Sequence, residues 1–191
     1  MVIYKIKGDF DHYDTCHVDV YACIPLWKGG SDFAPTLDGS VQGDSWWPRV
    51  MKRDNDHSLG SYVSCLQGDI LILERKALAL LRPIMGDVEV LPIICDFGDY
   101  IIANVLTVID CIDYEKSKYI RYNQIDPKVV PRIMCFENYA FHPEAIQNRH
   151  IFRTTEEPSS CIFVDDVFVD KVNALGLTGF KFKKVWESDN S

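Results

Sequence analysis

The stretches ILILERKALALLRPIMGDVEVL (residues 70–91) and CIFVDDVFVDKVNALGLTGFKF (residues 161–182) share one order of features. Each begins with four apolar residues and an acidic residue, continues with helical spacing to a glycine, and ends in an alternating run. The acidic residue precedes the glycine by twelve positions in the first stretch and by eleven in the second. We name these stretches unit A and unit B, and each predicts a strand, a helix and a second strand.

In unit A, residues 70–73 predict a buried strand that is too short for a helix. Glu74 begins the predicted helix, and Pro83 favours its early end because proline cannot donate the helical hydrogen bond. The expected apolar side of this helix consists of Leu78, Leu80, Leu81 and Ile84.

In unit B, residues 161–164 predict the first strand, and Asp165 follows as an N-cap whose carboxylate can accept from a free amide. Gly176 is predicted to end the helix with a positive φ, which glycine adopts without steric cost. The expected apolar side consists of Val167, Phe168, Val172 and Leu175.

These patterns predict an α+β fold with a mixed or mainly antiparallel sheet and short helices packed on it. For units this short, helices that rest on one antiparallel sheet are favoured over parallel crossovers. The units are then an internal pseudo-repeat, although a shared pattern without sequence identity is also compatible with coincidence. We expect a single domain over 1–191, with a more irregular part at 1–60 and a core at 61–186.

The remaining segments complete this prediction. Residues 2–7 and 17–24 alternate like strands, and a hairpin across 8–16 is expected to join them. Residues 25–60 hold many glycines and no sustained period, which is typical of a long irregular segment. Further strands are predicted at 100–108, 132–136 and 151–152, with a turn or short helix at 110–119.

Composition narrows the class of protein. The 191 residues are 47% hydrophobic and 25% charged, as in a packed globule. Seven cysteines without a Cys-x-x-Cys pair favour reduced thiols and a cytoplasmic location. No signal-peptide or membrane-length apolar run is present in the sequence, and the net charge of −8 argues against nucleic-acid binding.

No motif for catalysis or metal binding stands out. The ligand-rich stretch DFDHYDTCH at 9–17 has Tyr13 and Val20 where a calcium loop needs oxygen ligands, and it lacks the second cluster of a zinc site. Neither a nucleophile elbow nor a phosphate loop occurs. We therefore expect no metal, no cofactor and no enzymatic activity.

Two features are candidates for partner binding. Trp46 and Trp47 lie in the irregular segment, where they either plug the loop onto the core or anchor a partner. From 83 to 115 there are seven acidic residues and no Lys or Arg, which indicates either solvated turns or an acidic face for a basic partner. These acidic residues are Asp87, Glu89, Asp96, Asp99, Asp110, Asp113 and Glu115.

Much of the chain resembles a family of bacterial immunity proteins from polymorphic toxin systems, typified by a myxobacterial immunity domain. The similar residues in HIFRTTEEPSSCIFVDDVFVDKVNALGLTGFKF (150–182) are Phe152, Arg153, Gly176, Leu177, Gly179, Phe180 and Phe182. The stretches LILERKALALLRPIMGDVEVLPI (71–93) and YIIANVLTVIDCIDYEKSKY (100–119) are similar too, with Asn104, Asp113 and Ser117 in the second. The resemblance extends over about residues 60–185.

This resemblance implies a protein that binds and neutralises a cognate toxin, which the adjacent gene is expected to encode. The alternative is a small enzyme or metal-dependent factor that reverses toxin damage. Such a factor would use side chains such as His12, His17, Glu137 and His142.

Overall fold

The computed structural model describes residues 1–27, 37–66, 69–121 and 133–188. The strands, in chain order, are β1 Val2–Gly8, β2 Thr15–Val18, β3 Met51–Arg53, β4 Tyr62–Cys65, β5 Leu71–Glu74, β6 Val88–Pro92, β7 Tyr100–Val105, β8 Val108–Ile109, β9 Lys118–Arg121, β10 Ile133–Asn138, β11 Ile151–Thr154, β12 Phe163–Asp165 and β13 Phe180–Glu187. The α-helices are α1 Val20–Cys23, α2 Arg75–Leu81, α3 Pro143–Ile146 and α4 Asp166–Ala174. Single 3₁₀ turns occupy Ile24–Leu26, Gly43–Ser45 and Arg82–Ile84. Among these helices, none has the length and apolar character needed to span a bilayer.

The strands form two larger sheets and a separate ladder of β9 with β10, so the predicted α+β class is confirmed. The six-stranded sheet has the order β3-β2-β4-β5-β7-β6, and the five-stranded sheet has the order β13-β1-β12-β11-β8. Most neighbouring strands are antiparallel; β2 with β4 and β11 with β8 are parallel pairs. Strands β5, β6, β7, β10 and β11 lie where the sequence predicts them, apart from shifts at their ends.

The six-stranded sheet curls until its two edges meet. Val50, next to β3, forms a parallel bridge with Ile94, which follows β6. Two backbone hydrogen bonds make the bridge: Met51 N–H donates to Ile94 O at 2.8 Å, and Ile94 N–H donates to Arg49 O at 2.9 Å. All six strands contribute to a buried cluster inside this barrel-like ring, which we name the ring cluster. Its strand residues are Cys16, Val18, Met51, Val63, Cys65, Ile72, Leu91, Tyr100 and Ile102.

Unit A and unit B have the same topology. Each consists of a strand, a helix and a second strand, and another strand lies between the unit's own two strands. This inserted strand is β7 in unit A and β1 in unit B, and it is antiparallel to both of its neighbours. The two strands of each unit are therefore parallel to each other, as in a split β-α-β motif. The preference against parallel crossovers in these units is wrong, because the inserted strand lets a short helix connect two parallel strands.

The helices of both units pack into one buried cluster between the two sheets, which we name the shared cluster. Leu78 and Leu81 of α2 and Phe168 and Val172 of α4 all belong to it. Strand residues of the shared cluster come from both sheets, including Leu71, Leu73, Ala103, Ile151 and Val164. The prediction that both units rest on the same sheet is wrong, since β5 and β12 lie in different sheets whose facing sides build one core.

A glycine contact joins the five-stranded sheet to the ring. Gly179 has a φ of +86°, and a Cβ placed on it would lie 2.0 Å from the carbonyl oxygen of Tyr62 and 3.3 Å from the Cα of Gly60. Close by, Tyr62 N–H donates to Thr178 O at 3.0 Å, and Asp9 N–H donates to Gly179 O at 3.0 Å. The backbones approach so closely that only glycine fits at 179.

Several local predictions are wrong. Residues 17–24 are not one strand, because Asp19 caps a short helix and accepts from Ala22 N–H at 3.0 Å. The hairpin across 8–16 does not form, since β1 and β2 belong to different sheets. Leu80 and Val167, predicted on the buried sides of their helices, are 45% and 46% exposed. In the irregular segment, 28–36 lies outside the described residues, while β3 and a 3₁₀ turn occupy part of the rest.

Candidate partner-binding surface

The paired tryptophans lie against the ring cluster. Both rings are half-buried, and the Nε1–H of Trp46 donates to the carbonyl of Pro92 at 2.9 Å. The guanidinium of Arg49 stands 4.3 Å from the Trp46 ring and 4.1 Å from the Trp47 ring, and burial lowers the pKa of this arginine. This stacked arrangement favours the interpretation that the tryptophans plug their loop onto the core; a direct role in partner binding stays a prediction.

The seven predicted carboxylates fall into separate groups. Asp87 precedes β6 at one end of the β6–β7 hairpin, and Asp96 and Asp99 lie in the connection at its other end. Asp99 forms an ion pair with Arg75 at 3.0 Å. The remaining group follows β8 in the five-stranded sheet and consists of Asp110, Asp113 and Glu115.

Two of the seven carboxylates serve the fold. Glu89 on β6 accepts from the backbone N–H groups of Gln42 at 3.0 Å and Gly43 at 2.8 Å, and from Asn104 Nδ2 at 3.1 Å. Burial alone would raise the pKa of Glu89, but these three hydrogen bonds outweigh it and the pKa is lowered. Asp113 is buried and accepts from Glu115 N–H and Lys116 N–H, so it shapes the turn that follows it.

A concave surface opens between the loop at 112–116 and the start of α3, and we name it the acidic groove. It has a volume of about 620 Å³, and its lining residues are Ile112, Asp113, Tyr114, Glu115, Lys116, Phe141, His142, Pro143 and Glu144. The two sides are held together by a bridge between Ile112 and Phe141 and by hydrogen bonds on either side of it. In these, His142 N–H donates to Cys111 O at 2.8 Å, and Asp113 N–H donates to Ala140 O at 2.9 Å.

An aromatic cluster supports the groove from below. Phe141 lies 5.8 Å from Tyr139, 5.5 Å from Phe163 and 5.7 Å from Trp186, measured between ring centroids. Phe141 is only 2% exposed, so the bottom of the groove is a rigid part of the core. A second, smaller groove of about 230 Å³ continues along the same surface past Trp186 to Glu187.

The charges around the acidic groove are mostly negative. Glu115 and Glu144 are exposed, and Glu187 in the adjoining groove is exposed and paired with Lys184. The one lysine of the lining, Lys116, forms an ion pair with Asp113 at 3.2 Å. Tyr114 donates its hydroxyl hydrogen bond to Glu156 at 2.6 Å, and burial together with that carboxylate raises its pKa. The surface therefore suits a positively charged ligand.

Sequence reasoning found only part of this surface. Asp113 and Glu115 were predicted, while Glu144 and Glu187 were missed because they lie outside the stretch that is rich in acidic residues. The signal for Glu144 was the HPEA sequence at 142–145, where Pro143 indicates the start of a helix next to an exposed acid.

The side chains considered for damage-reversing chemistry are not brought together. His12 contacts Asp9 at 2.9 Å, His17 contacts Asp54 at 2.5 Å, and His142 lies 3.6 Å from Glu144. Across the described ranges, no hydrogen bond or ion pair connects any two of His12, His17, Glu137 and His142, and no group of three potential metal ligands is formed.

Arg153, one of the residues on which the resemblance depends, is fully buried. Its Nη1 donates to Pro158 O at 2.7 Å and its Nε to Val105 O at 3.3 Å, and burial lowers its pKa to about 10. Because Val105 belongs to the ring and Arg153 to the five-stranded sheet, this side chain ties the two sheets together.

One family model matches part of this chain. A search of curated proteins found none that matches this chain. Residues 96–187 match the model described as "Immunity protein family (Imm11)", a range that includes the acidic groove and unit B but not unit A. The predicted resemblance to an immunity protein family is thus confirmed, over residues 96–187 rather than 60–185.

Proposed function

We propose that this protein confers immunity by binding a cognate bacterial toxin directly, and that it performs no reaction of its own. We further propose that the acidic groove is the centre of the binding surface and that the adjacent gene encodes the toxin. The seven free cysteines suit a reducing compartment, so the proposed place of action is the cytoplasm.

One observation carries this proposal. The acidic groove is lined entirely by residues within the range that matches the immunity family model. Its bottom is rigid because Phe141 is buried among aromatic rings, while its rim presents exposed carboxylates. A preformed surface of this kind lowers the cost of ordering side chains when a partner binds.

The charge of the groove indicates the character of the partner. Glu115 and Glu144 lie on opposite sides of it, and the net charge of the chain is −8. A toxin with a basic surface would be attracted over several ångströms, with on-rates raised roughly 10- to 1,000-fold at low salt. The toxin is expected to cover about 800 Å² on this side.

The test is to purify the chain with the product of the adjacent gene and to measure their affinity and association rate. We expect a stable complex, and we expect Glu115→Lys combined with Glu144→Lys to weaken it at least about tenfold because repulsion replaces attraction. The matched control is Asp87→Lys combined with Asp96→Lys, which reverses two exposed carboxylates away from the groove. The control should bind like the parent.

Two results would contradict the proposal in different ways. Protection of cells from the toxin without any measurable complex would exclude direct binding and favour reversal of damage. If the groove variant and the control variant weaken the complex equally, direct binding remains supported. The acidic groove is then excluded as the centre of the binding surface.

A further inference from the structure

Strands β1 and β13 place four lysines on one face of the five-stranded sheet. Lys5 lies directly opposite Lys183, and Lys7 lies directly opposite Lys181. Residues two apart on a strand point to the same side, so the four ammonium groups form a block. Like charges in directly opposite positions destabilise a sheet unless other groups compensate them.

Three of these lysines have a carboxylate from elsewhere in the chain. Lys7 pairs with Asp69 at 3.3 Å, Lys181 pairs with Asp11 at 2.9 Å, and Lys5 lies 3.9 Å from Glu157. Within the described residues, no carboxylate lies within 4.0 Å of the fourth ammonium group, that of Lys183. Among the described residues, carboxylates therefore compensate three positive charges of the block but not that of Lys183.

The uncompensated lysine stands at a pocket, which we name the Lys183 pocket. Its lining consists of Lys5, Phe136, Glu137, Asn138, Tyr139, Lys183, Lys184 and Val185. The volume is about 170 Å³, which is well above the roughly 10–15 Å³ that a single water molecule needs. This space accommodates a group of a few heavy atoms.

The base of the pocket is held in place by hydrogen bonds. Lys5, whose side chain is only 14% exposed, donates to the hydroxyl of Tyr139. Tyr139 in turn donates to Glu157 at 2.5 Å. Lys5 also stands 4.4 Å from the centre of the Tyr139 ring, so several contacts hold its ammonium group in place.

We propose that the Lys183 pocket binds a small oxyanion, a carboxylate or a phosphate group, between the ammonium groups of Lys183 and Lys5. The group can be free in solution or can be carried by the side chain of a protein partner. Asn138 on the lining can donate to the anion as well, whereas Glu137 on the same lining opposes it.

The experiment is an NMR titration of the isotope-labelled protein with sodium acetate and, separately, with sodium phosphate, at ionic strength held constant with sodium chloride. We expect saturable shifts of the amides around 136–139 and 183–185. Lys183→Gln should weaken binding about fivefold, the scale of one exposed charged contact. Glu137→Gln should strengthen it because a repelling charge is removed.

Lys181→Gln is the matched control, since Lys181 lies on the same strand and face but is paired with Asp11. This control should bind both anions like the parent. Tighter binding of acetate would assign the pocket to carboxylates, and tighter binding of phosphate would assign it to phosphate groups.

Amide shifts that do not saturate would overturn the proposal. Equal weakening of anion binding by Lys183→Gln and Lys181→Gln would overturn it as well. The titration requires no toxin, so its outcome is independent of the proposed immunity function.

Discussion

Unit A and unit B reach the same topology through different local chemistry. Both turn back at a glycine in the left-handed conformation, Gly86 with φ +62° and Gly176 with φ +63°. The helix of unit B begins at a true N-cap, where Asp165 accepts from Phe168 N–H at 3.0 Å. The helix of unit A begins at Glu74 without a side-chain cap. Both units share an apolar pattern and a glycine turn, which are sufficient for the topology. The N-cap occurs only in unit B and is not required for it.

The units differ more in the origin of their inserted strand. In unit A the inserted strand β7 follows the unit directly along the chain, where it forms a hairpin with β6 and places Ile102 opposite Ile72 of β5. In unit B the inserted strand β1 comes from the N-terminus, and Ile3 lies opposite Asp165. Contacts between distant segments cost more chain entropy to form. Unit B therefore depends on the rest of the fold, and the following variants test this difference.

The largest effect is expected at the contact that joins unit B to the ring. Gly179→Ala should lower the free energy of unfolding by more than about 4 kcal/mol, because its Cβ would overlap the carbonyl of Tyr62 in a strained backbone conformation. Urea unfolding of both proteins measures this. The control Gly176→Ala has no atom within 4 Å of the new Cβ and should cost only about 1–2 kcal/mol. Equal losses of unfolding free energy in the two variants would contradict the close contact between Gly179 and the ring.

The second prediction compares the helices in the shared cluster. Phe168→Ala should cost about 3–5 kcal/mol and Leu81→Ala about 2–5 kcal/mol, since both side chains are fully buried. We propose that the chain is one domain, so each variant should reduce hydrogen-exchange protection in β1 and β7 by the same amount. The exposed neighbours Leu80 and Val167 are matched controls whose truncation should change stability by less than about 0.5 kcal/mol.

Loss of protection in β7 alone after Leu81→Ala would mean that the two sheets unfold separately. That result would divide the chain into two domains and would contradict the shared cluster as a single core.

The third prediction concerns the caps. Asp165→Ala should lower the free energy of unfolding by about 1 kcal/mol, because the first turn of α4 loses its acceptor and His150 loses a contact at 2.8 Å. Glu74→Ala should change it by only a few tenths of a kcal/mol. Thermal unfolding measures both, and Asp165→Asn, which keeps a capping oxygen, should retain most of the stability. A larger loss of unfolding free energy for Glu74→Ala than for Asp165→Ala would contradict the prediction that only unit B has a stabilising helix cap.

The smallest effect is expected from Glu89, which is on the second strand of unit A. Its pKa is lowered in the folded protein, so its contribution to stability is present above its ordinary value of 4.5 and is lost as the pH falls through the lowered value. Stability measured from about pH 7 to about pH 3 should therefore fall less for Glu89→Gln than for the parent. Identical pH profiles would show that Glu89 does not hold the loop at 42–43.

The acidic groove and the fold differ in how far they could be predicted. Asp113 and Glu115 were identified as acidic residues in a region without bases, which is a property of composition. Asp113 and Glu115 lie near Glu144 because of the bridge between Ile112 and Phe141, two residues nearly thirty positions apart. No local sequence pattern at Ile112 or Phe141 predicts this pairing, so the groove could not be predicted from the spacing of residues in the sequence.

The sequence by itself determined the two units, because helical spacing, the Asp165 cap and the turns at Gly86 and Gly176 are local properties of the backbone and its nearest side chains. Only the tertiary structure decided that they lie in two sheets, since an apolar strand pairs equally well with many partners. It also decided which polar residues are buried, as with Arg153. Burial depends on neighbours contributed by distant segments, and single-sequence patterns carry no information about them.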